Sequence, residues 1–393
     1  MMKKKINISY FFTTVFLFFI IIMCLVDIIV MKSFGYVFLK QHVCYDKIVI
    51  YNYCKNSENS YYFAKDDLVN KKVKININKN KFQYTKNIKP SEIDQADIVI
   101  IGDSFVQAKA VNIEKRMDNY FRQDGLKVTS FGFGSWSPVQ YKRIIENYKF
   151  KKNAKILIFL MTNDFTPSYR YSSVNFAKNL DYYKNFYLKG DELKSNFYYK
   201  LKSILLEYSY IFNFLKKSKN NFKRNTVKNN YIKVDDIFSS SNYKDCSLLS
   251  KYSNKIHEEL LDYLYFSKQS DCWNNVHTES VNYTLNEIKK INELTKGKHE
   301  VFLFLIPAGW TLPDENLGGK NTKLYKMSKD TTITSYGLSE YLKKDLDNFY
   351  DLEPVLKEIK KKYSSNNKLF LSFDSHWTEL AHREIYEYLK TIF

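Results

Sequence analysis

The eight residues Asp97-Ile98-Val99-Ile100-Ile101-Gly102-Asp103-Ser104 (DIVIIGDS) carry the reading of the fold. Four consecutive β-branched aliphatic residues leave no polar face, so a strand built from them is covered on both sides. A glycine then ends the run, and two short polar residues follow. The same grammar recurs along the chain at Lys127–Phe131 (KVTSF), Lys155–Met161 (KILIFLM), Val301–Ile306 (VFLFLI) and Lys368–Ser372 (KLFLS). Between these runs lie helical stretches. Pro138–Tyr148 has its proline in the first turn, where the missing N–H costs nothing, and another helix runs from Thr378 to the C-terminus. Apolar runs alternating with helices predict an α/β domain over residues 93–393, with about five parallel strands covered on both faces.

About 140 residues separate the third run from the fourth, far more than an ordinary crossover needs. This insertion, at about 165–298, contains two helix-like segments, Leu201–Leu215 and Ser280–Thr295. It also contains Lys216–Lys233, with seven basic residues and no acidic one, which reads as a solvated loop. Upstream, residues 32–92 read as a polar juxtamembrane stalk, with a hairpin expected from Lys72–Ile77 and Lys81–Thr85 around Asn78-Lys79-Asn80.

Residues 9–31 read as an uncleaved membrane anchor. Tyr10 to Met31 is apolar except for Thr13, Thr14 and Asp27. As a helix its 22 residues span about 33 Å, enough for a hydrocarbon core of about 30 Å. Lys3, Lys4 and Lys5 favour a cytoplasmic tail at 1–8 and an extracytoplasmic remainder. The cysteines leave two alternatives there: local disulfides Cys44/Cys54 and Cys246/Cys272, or four free thiols.

The chain has 393 residues and a formal net charge of +19. Its 45% hydrophobic content excludes whole-chain disorder. Nucleic-acid binding is disfavoured by the kind of base: only six of the 61 basic residues are Arg, the side chain whose fork reads phosphates and bases. The charge is also uneven, at +10 over residues 1–90 and −1 over residues 300–393. No Cys/His spacing suits a metal site, and no cofactor motif is present.

The chemistry-bearing residues fall at the carboxyl ends of the expected strands, the side where open parallel sheets bind ligands. Ser104 follows the first strand. Gly132, Gly134 and Ser135 follow the second, Asn163 and Asp164 the third, and Asp374 and His376 the last. These types together suit acyl transfer. Ser104 needs a base, which His376 can be, and the imidazole needs an orienting acceptor, which Asp374 can be. A developing oxyanion needs donors: the N–H groups of Ser104 and of Gly134 or Ser135, and the Asn163 side chain. Trp136 and Trp377 flank two of these blocks as candidates either for stacking on sugar rings or for packing.

These four blocks resemble the SGNH (GDSL-like) hydrolase family: Gly102-Asp103-Ser104, Gly132 to Ser135, Asn163-Asp164, and Asp374-Ser375-His376. Tyr350-Asp351-Leu352 and His376-Trp377-Thr378 are similar to an extracytoplasmic branch of alginate acetyltransferase-like proteins that modify surface polysaccharides. The resemblance implies a flavodoxin-type three-layer αβα sandwich. It also implies an esterase removing small acyl groups, foremost acetyl, from an envelope glycan through a Ser104-His376-Asp374 triad. The alternatives are an O-acetyltransferase with the same triad, or a glycan-binding module that has kept the fold. Three positions depart from the family pattern. Ser135 stands where a glycine is usual, Met161 stands where a glycine precedes the Asn by two, and Asp374 precedes His376 by two residues rather than three.

Overall fold

The computed structural model describes residues 8–34, 38–40, 43–63, 71–84, 91–165, 231–232, 256–257, 266–267, 270–273, 275–312, 334–371 and 376–393. The chain divides into two compact units: Met1–Gln41 with Asn59–Lys74 and Asp191–Asn229, and His42–Glu58 with Ile75–Gly190 and Asn230–Phe393. The first contains helix α1 (Ile8–Phe34). It also contains a short antiparallel pairing of Phe38, Leu39 and Lys40 with Tyr62, Tyr61 and Ser60. Apolar side chains of α1 such as Phe12, Phe16 and Phe18 are more than 60% exposed. Among the described residues no helix is long and apolar enough to cross a membrane.

The second unit opens with a hairpin, β1 (Val43–Asp46) and β2 (Ile50–Tyr53), cross-linked by a Cys44–Cys54 disulfide. Its five-stranded sheet comprises β3 (Ile98–Gly102), β4 (Val128–Gly132), β5 (Lys155–Met161), β6 (Glu300–Ile306) and β7 (Phe349–Asp351). The strand order is β7-β6-β5-β3-β4, and every neighbouring pair is parallel. The apolar runs explain the burial: Val99 to Ile101 and Ile156 to Leu160 are fully enclosed. At about 1.5–3 kcal/mol for each large apolar side chain removed from water, these strands are a major source of stability.

The helices follow the crossovers. From β3 the chain runs through α2 (Ser104–Gln107) and α3 (Met117–Gln123) to β4 at one edge. From β4 it turns back through α4 (Pro138–Asn147) to β5, and α5 (Asn275–Thr295) leads on to β6. Right-handed crossovers in opposite directions put α3 on one face and α4 and α5 on the other. The side chains agree. Lys142 of α4 meets Glu287 of α5 at 2.7 Å. Tyr120 and Phe121 of α3 pack on Tyr386 of the last helix, α6 (Glu379–Leu389). The reversal of direction lies between β3 and β5, and the carboxyl ends of strands at such a point are where open parallel sheets bind ligands.

Two expectations change. The fifth strand is Phe349–Asp351, not Lys368–Ser372. Phe370 instead makes one antiparallel bridge to Trp377. Within the span 32–92 expected as a stalk, His42–Glu58 and the residues from Ile75 to 92 fall in the same compact unit as the sheet. Their apolar contacts, such as Ile50 with Val139, take them out of solvent. The hairpin expected around Asn78-Lys79-Asn80 is present, with Asn76 opposite Tyr84. The helix expected at Leu201–Leu215, the basic loop up to residue 230, Cys246 and the tail at 1–7 lie outside the described residues. Cys272 is disulfide-bonded.

Candidate active site

Ser104 is placed by the end of β3. Asp103 caps the short helix α2, its Oδ1 accepting from the Phe105 N–H at 2.9 Å, and Ser104 occupies the first helical position. Two glycines let α2 lie this close to the sheet. A Cβ on Gly132 would stand 2.4 Å from the Gln107 nitrogen, and one on Gly102 would stand 2.5 Å from Val106 Cγ2.

His376 arrives from the other end of the chain. The Leu371 N–H donates to the His376 carbonyl at 2.7 Å, and the Thr378 N–H donates to the Leu369 carbonyl at 2.9 Å. Thr378 then caps α6, its hydroxyl accepting from the Ala381 N–H at 3.3 Å. Inside this return Phe105, the residue after Ser104, packs on the histidine and on Trp377. Its ring lies 4.9 Å from the His376 ring and 5.3 Å from that of Trp377. The result is one decisive distance: His376 Nε2 lies 2.7 Å from Ser104 Oγ, although the two residues are 272 apart in sequence. The hydroxyl has a second neighbour, Asp103 Oδ2 at 3.2 Å. Its single proton serves one of them, and the shorter contact is to the imidazole. Asp374 lies outside the described residues.

The oxyanion candidates separate by what their N–H groups already do. The Gly134 N–H donates to Gln107 Oε1 at 3.1 Å. Ser135 is exposed, holds φ +66° in the left-handed region, and its N–H has no partner among the described residues. A glycine is relaxed at such a φ and a serine is strained. Asn163 sits in the 3₁₀ turn Thr162–Asp164 that follows β5. Asp164 holds that turn, its Oδ2 accepting from the Met161 N–H at 2.9 Å and from the Tyr141 hydroxyl at 3.2 Å. The Asn163 Oδ1 is buried without a partner among the described residues.

Two carboxyls are enclosed near Ser104 and Asn163, those of Asp103 and Asp164. Burial pushes Asp103 above the ordinary carboxylate value, while the Phe105 N–H and the charge of His376 pull it down. Asp164 is pushed well above that value, first by burial and then by the charge of Asp103. Burial and the Asp164 charge likewise raise the Tyr141 phenol well above its usual range. Two carboxyls sharing an apolar interior resist ionising together.

Trp136 and Trp377 are each 1% exposed, so both pack rather than face a ligand. Among the described residues no cluster of three or more His, Cys, Asp or Glu side chains could hold a metal ion. Sequence reasoning missed Gln107, Tyr51 and Tyr53 (the buried Tyr53 hydroxyl accepts from the Gln107 amide at 2.8 Å). Nothing local marks them, since their partners lie dozens of residues away.

No family model matches the chain, and no curated protein matches it. Among solved structures it is similar to the crystal structure of a member of the lipolytic protein G-D-S-L family from Veillonella parvula DSM 2008. The identity is 11%, the TM-score is 0.30, and the match covers 75% of this chain and 97% of that one. A likeness of that degree leaves the reading of the site to its own geometry.

Proposed function

We propose that the chain is a serine ester hydrolase that removes small acyl groups, foremost acetyl, from an extracytoplasmic glycan. The observation that carries this reading is the 2.7 Å approach of His376 Nε2 to Ser104 Oγ at the carboxyl edge of the sheet. Ser104 Oγ attacks the ester carbonyl while Nε2 takes the hydroxyl proton. The negative charge on the tetrahedral oxygen is met by the N–H of Ser135, the N–H of Ser104 and the Asn163 amide. Collapse expels the sugar hydroxyl, which takes back the proton from the imidazolium, and leaves an acyl-serine. Water, deprotonated by the same nitrogen, repeats the sequence and releases the carboxylic acid. Asp374, two residues before His376, is the proposed partner of the other ring nitrogen.

Residues 9–31 are the proposed membrane anchor. The span counted in the sequence includes residues whose side chains lie outside the described ones, and the exposed apolar surface of α1 suits lipid better than water. A Cys44–Cys54 disulfide and a disulfide-bonded Cys272 fit an oxidising compartment outside the cytoplasm. The glycan itself rests on the sequence resemblance of the blocks around Tyr350 and His376. The test is turnover of an acetyl ester, first p-nitrophenyl acetate and then an acetylated polysaccharide, by the full chain in detergent. Wild type cleaves and Ser104→Ala does not. Equal activity in the two, or none in either, overturns the reading.

A further inference from the structure

The hairpin ahead of the sheet is built onto the turn that follows β4. Tyr51 of β2 donates its hydroxyl to the Ser135 carbonyl at 2.9 Å, with the Gly134 carbonyl at 3.4 Å. In return the Trp136 indole N–H donates to the Tyr51 carbonyl at 3.1 Å. Two residues on, the buried Tyr53 hydroxyl accepts from the Gln107 amide at 2.8 Å. That amide is thereby oriented with its oxygen toward the Gly134 N–H, 3.1 Å away. Phe133, the residue before the turn, has its ring 4.9 Å from Tyr53 and 5.5 Å from Tyr51.

The hairpin is itself fixed at both ends. The Cys44–Cys54 disulfide closes its open end. At its tip, Arg143 of α4 donates to the Lys47 carbonyl at 3.0 Å and also to that of Ile48. Ile50 holds φ +71°, a strained backbone for a β-branched residue, while packed on Val139 of α4.

We propose that this disulfide-closed hairpin is the positioning device of the oxyanion turn. Tyr51 holds the carbonyl side of Gly134-Ser135, and Tyr53 acts through Gln107 to occupy the Gly134 N–H. The adjacent N–H of Ser135 is left as the one the turn offers to substrate. Tyr51, Tyr53 and Gln107 are positioning residues, since none of them has to touch the reacting atoms. The catalytic half of this inference rests on the esterase reading; the mechanical half, that the hairpin holds the turn, does not.

The experiment compares wild type, Tyr51→Phe, Gln107→Leu and Gln107→Glu as full chains, with two readouts. Amide hydrogen exchange reports the turn directly. Exchange at Gly134 rises about tenfold or more in Gln107→Leu, which removes its acceptor, and stays near wild type in Gln107→Glu, which keeps one. Tyr51→Phe raises exchange across residues 133–136, while the β5 and β6 amides stay protected. Acetyl-ester kinetics report the consequence. A donor misplaced by about 1 Å costs on the order of a hundredfold, so kcat falls about ten- to a hundredfold in Tyr51→Phe and Gln107→Leu. KM stays within about twofold, and Gln107→Glu recovers most of kcat. If wild type cleaves through Ser104 while exchange and kcat are unmoved in both variants, the positioning role falls and the esterase reading stands. If the exchange changes occur but wild type cleaves no ester, the esterase reading falls and the hold on the turn stands.

Discussion

Replacing Gly132 by Ala tests how Ser104, the proposed nucleophile, is seated. The added methyl would stand 2.4 Å from the Gln107 nitrogen, 2.6 Å from the Val106 carbonyl carbon and 2.8 Å from Val106 Cγ1. Two of these three atoms are backbone of the segment that carries Ser104, so no side-chain rotation relieves the clash. Ordinary contact begins near 3.4 Å, so α2 or the end of β4 must give by about 1 Å. Overpacking of this kind costs about 1–3 kcal/mol. The same movement shifts Ser104 Oγ against His376 Nε2, and about 1 Å of misplacement lowers kcat on the order of a hundredfold. Gly125→Ala is the matched comparison. Its φ of +87° strains any side chain, but nothing lies within 4 Å of the added methyl. It costs on the order of 1 kcal/mol and leaves kcat alone. The assays are denaturant midpoints and acetyl-ester kinetics on both variants. A Gly132→Ala protein with kcat within threefold of wild type and an unshifted midpoint would refute the close seating of α2 on the sheet.

Other expectations follow from neighbouring groups. The His382 imidazole is 2% exposed, and burial, with Arg116 nearby, lowers its pKa to about 3. Below the unfolded value of about 6.5 the unfolded chain binds a proton that the folded one refuses. Stability is therefore full above pH ~6.5 and is lost as pH falls toward ~3, by up to about 1.4 kcal/mol per pH unit. Denaturant titrations at pH 7 and pH 4 should show wild type losing about 3 kcal/mol more than His382→Gln; equal losses contradict the neutral buried imidazole. Asn163→Ala should lower kcat about 10²–10³-fold with little change in KM, the cost of one oxyanion donor. A change confined to KM would instead make Asn163 a ground-state binder.

How much of this was legible depended on how local each signal was. β3, β5 and β6 are continuous apolar runs, and a run with no polar face belongs in the middle of a covered sheet. The edge was harder. Phe349–Asp351 is a strand because β6 offers it a partner, while the more apolar Lys368–Leu371 turns back on Trp377. Hydrophobicity reports burial, not hydrogen-bond partners. Ser104 and Asn163 stand directly after β3 and β5, where short polar motifs were expected, whereas His376, expected after a fifth strand, is carried by the return from Phe370 to Trp377. The hairpin could not be read, since Tyr51 and Tyr53 look like ordinary residues in a tyrosine-rich chain. Their contacts, Tyr51 to Ser135 and Tyr53 to Gln107, bridge 84 and 54 residues. The choice between Gly134 and Ser135 as donor was likewise out of reach, because it turns on where the Gln107 amide points.

The account stands on Ser104 being a nucleophile activated by His376. Its most direct measurement is intact and peptide-level mass analysis after the full chain is incubated with a fluorophosphonate. One phosphonyl group on Ser104 per chain, absent from Ser104→Ala and slowed at least a thousandfold in His376→Ala, is the predicted result. Labelling spread over other residues, or a rate at Ser104 that is unchanged in His376→Ala, would contradict it.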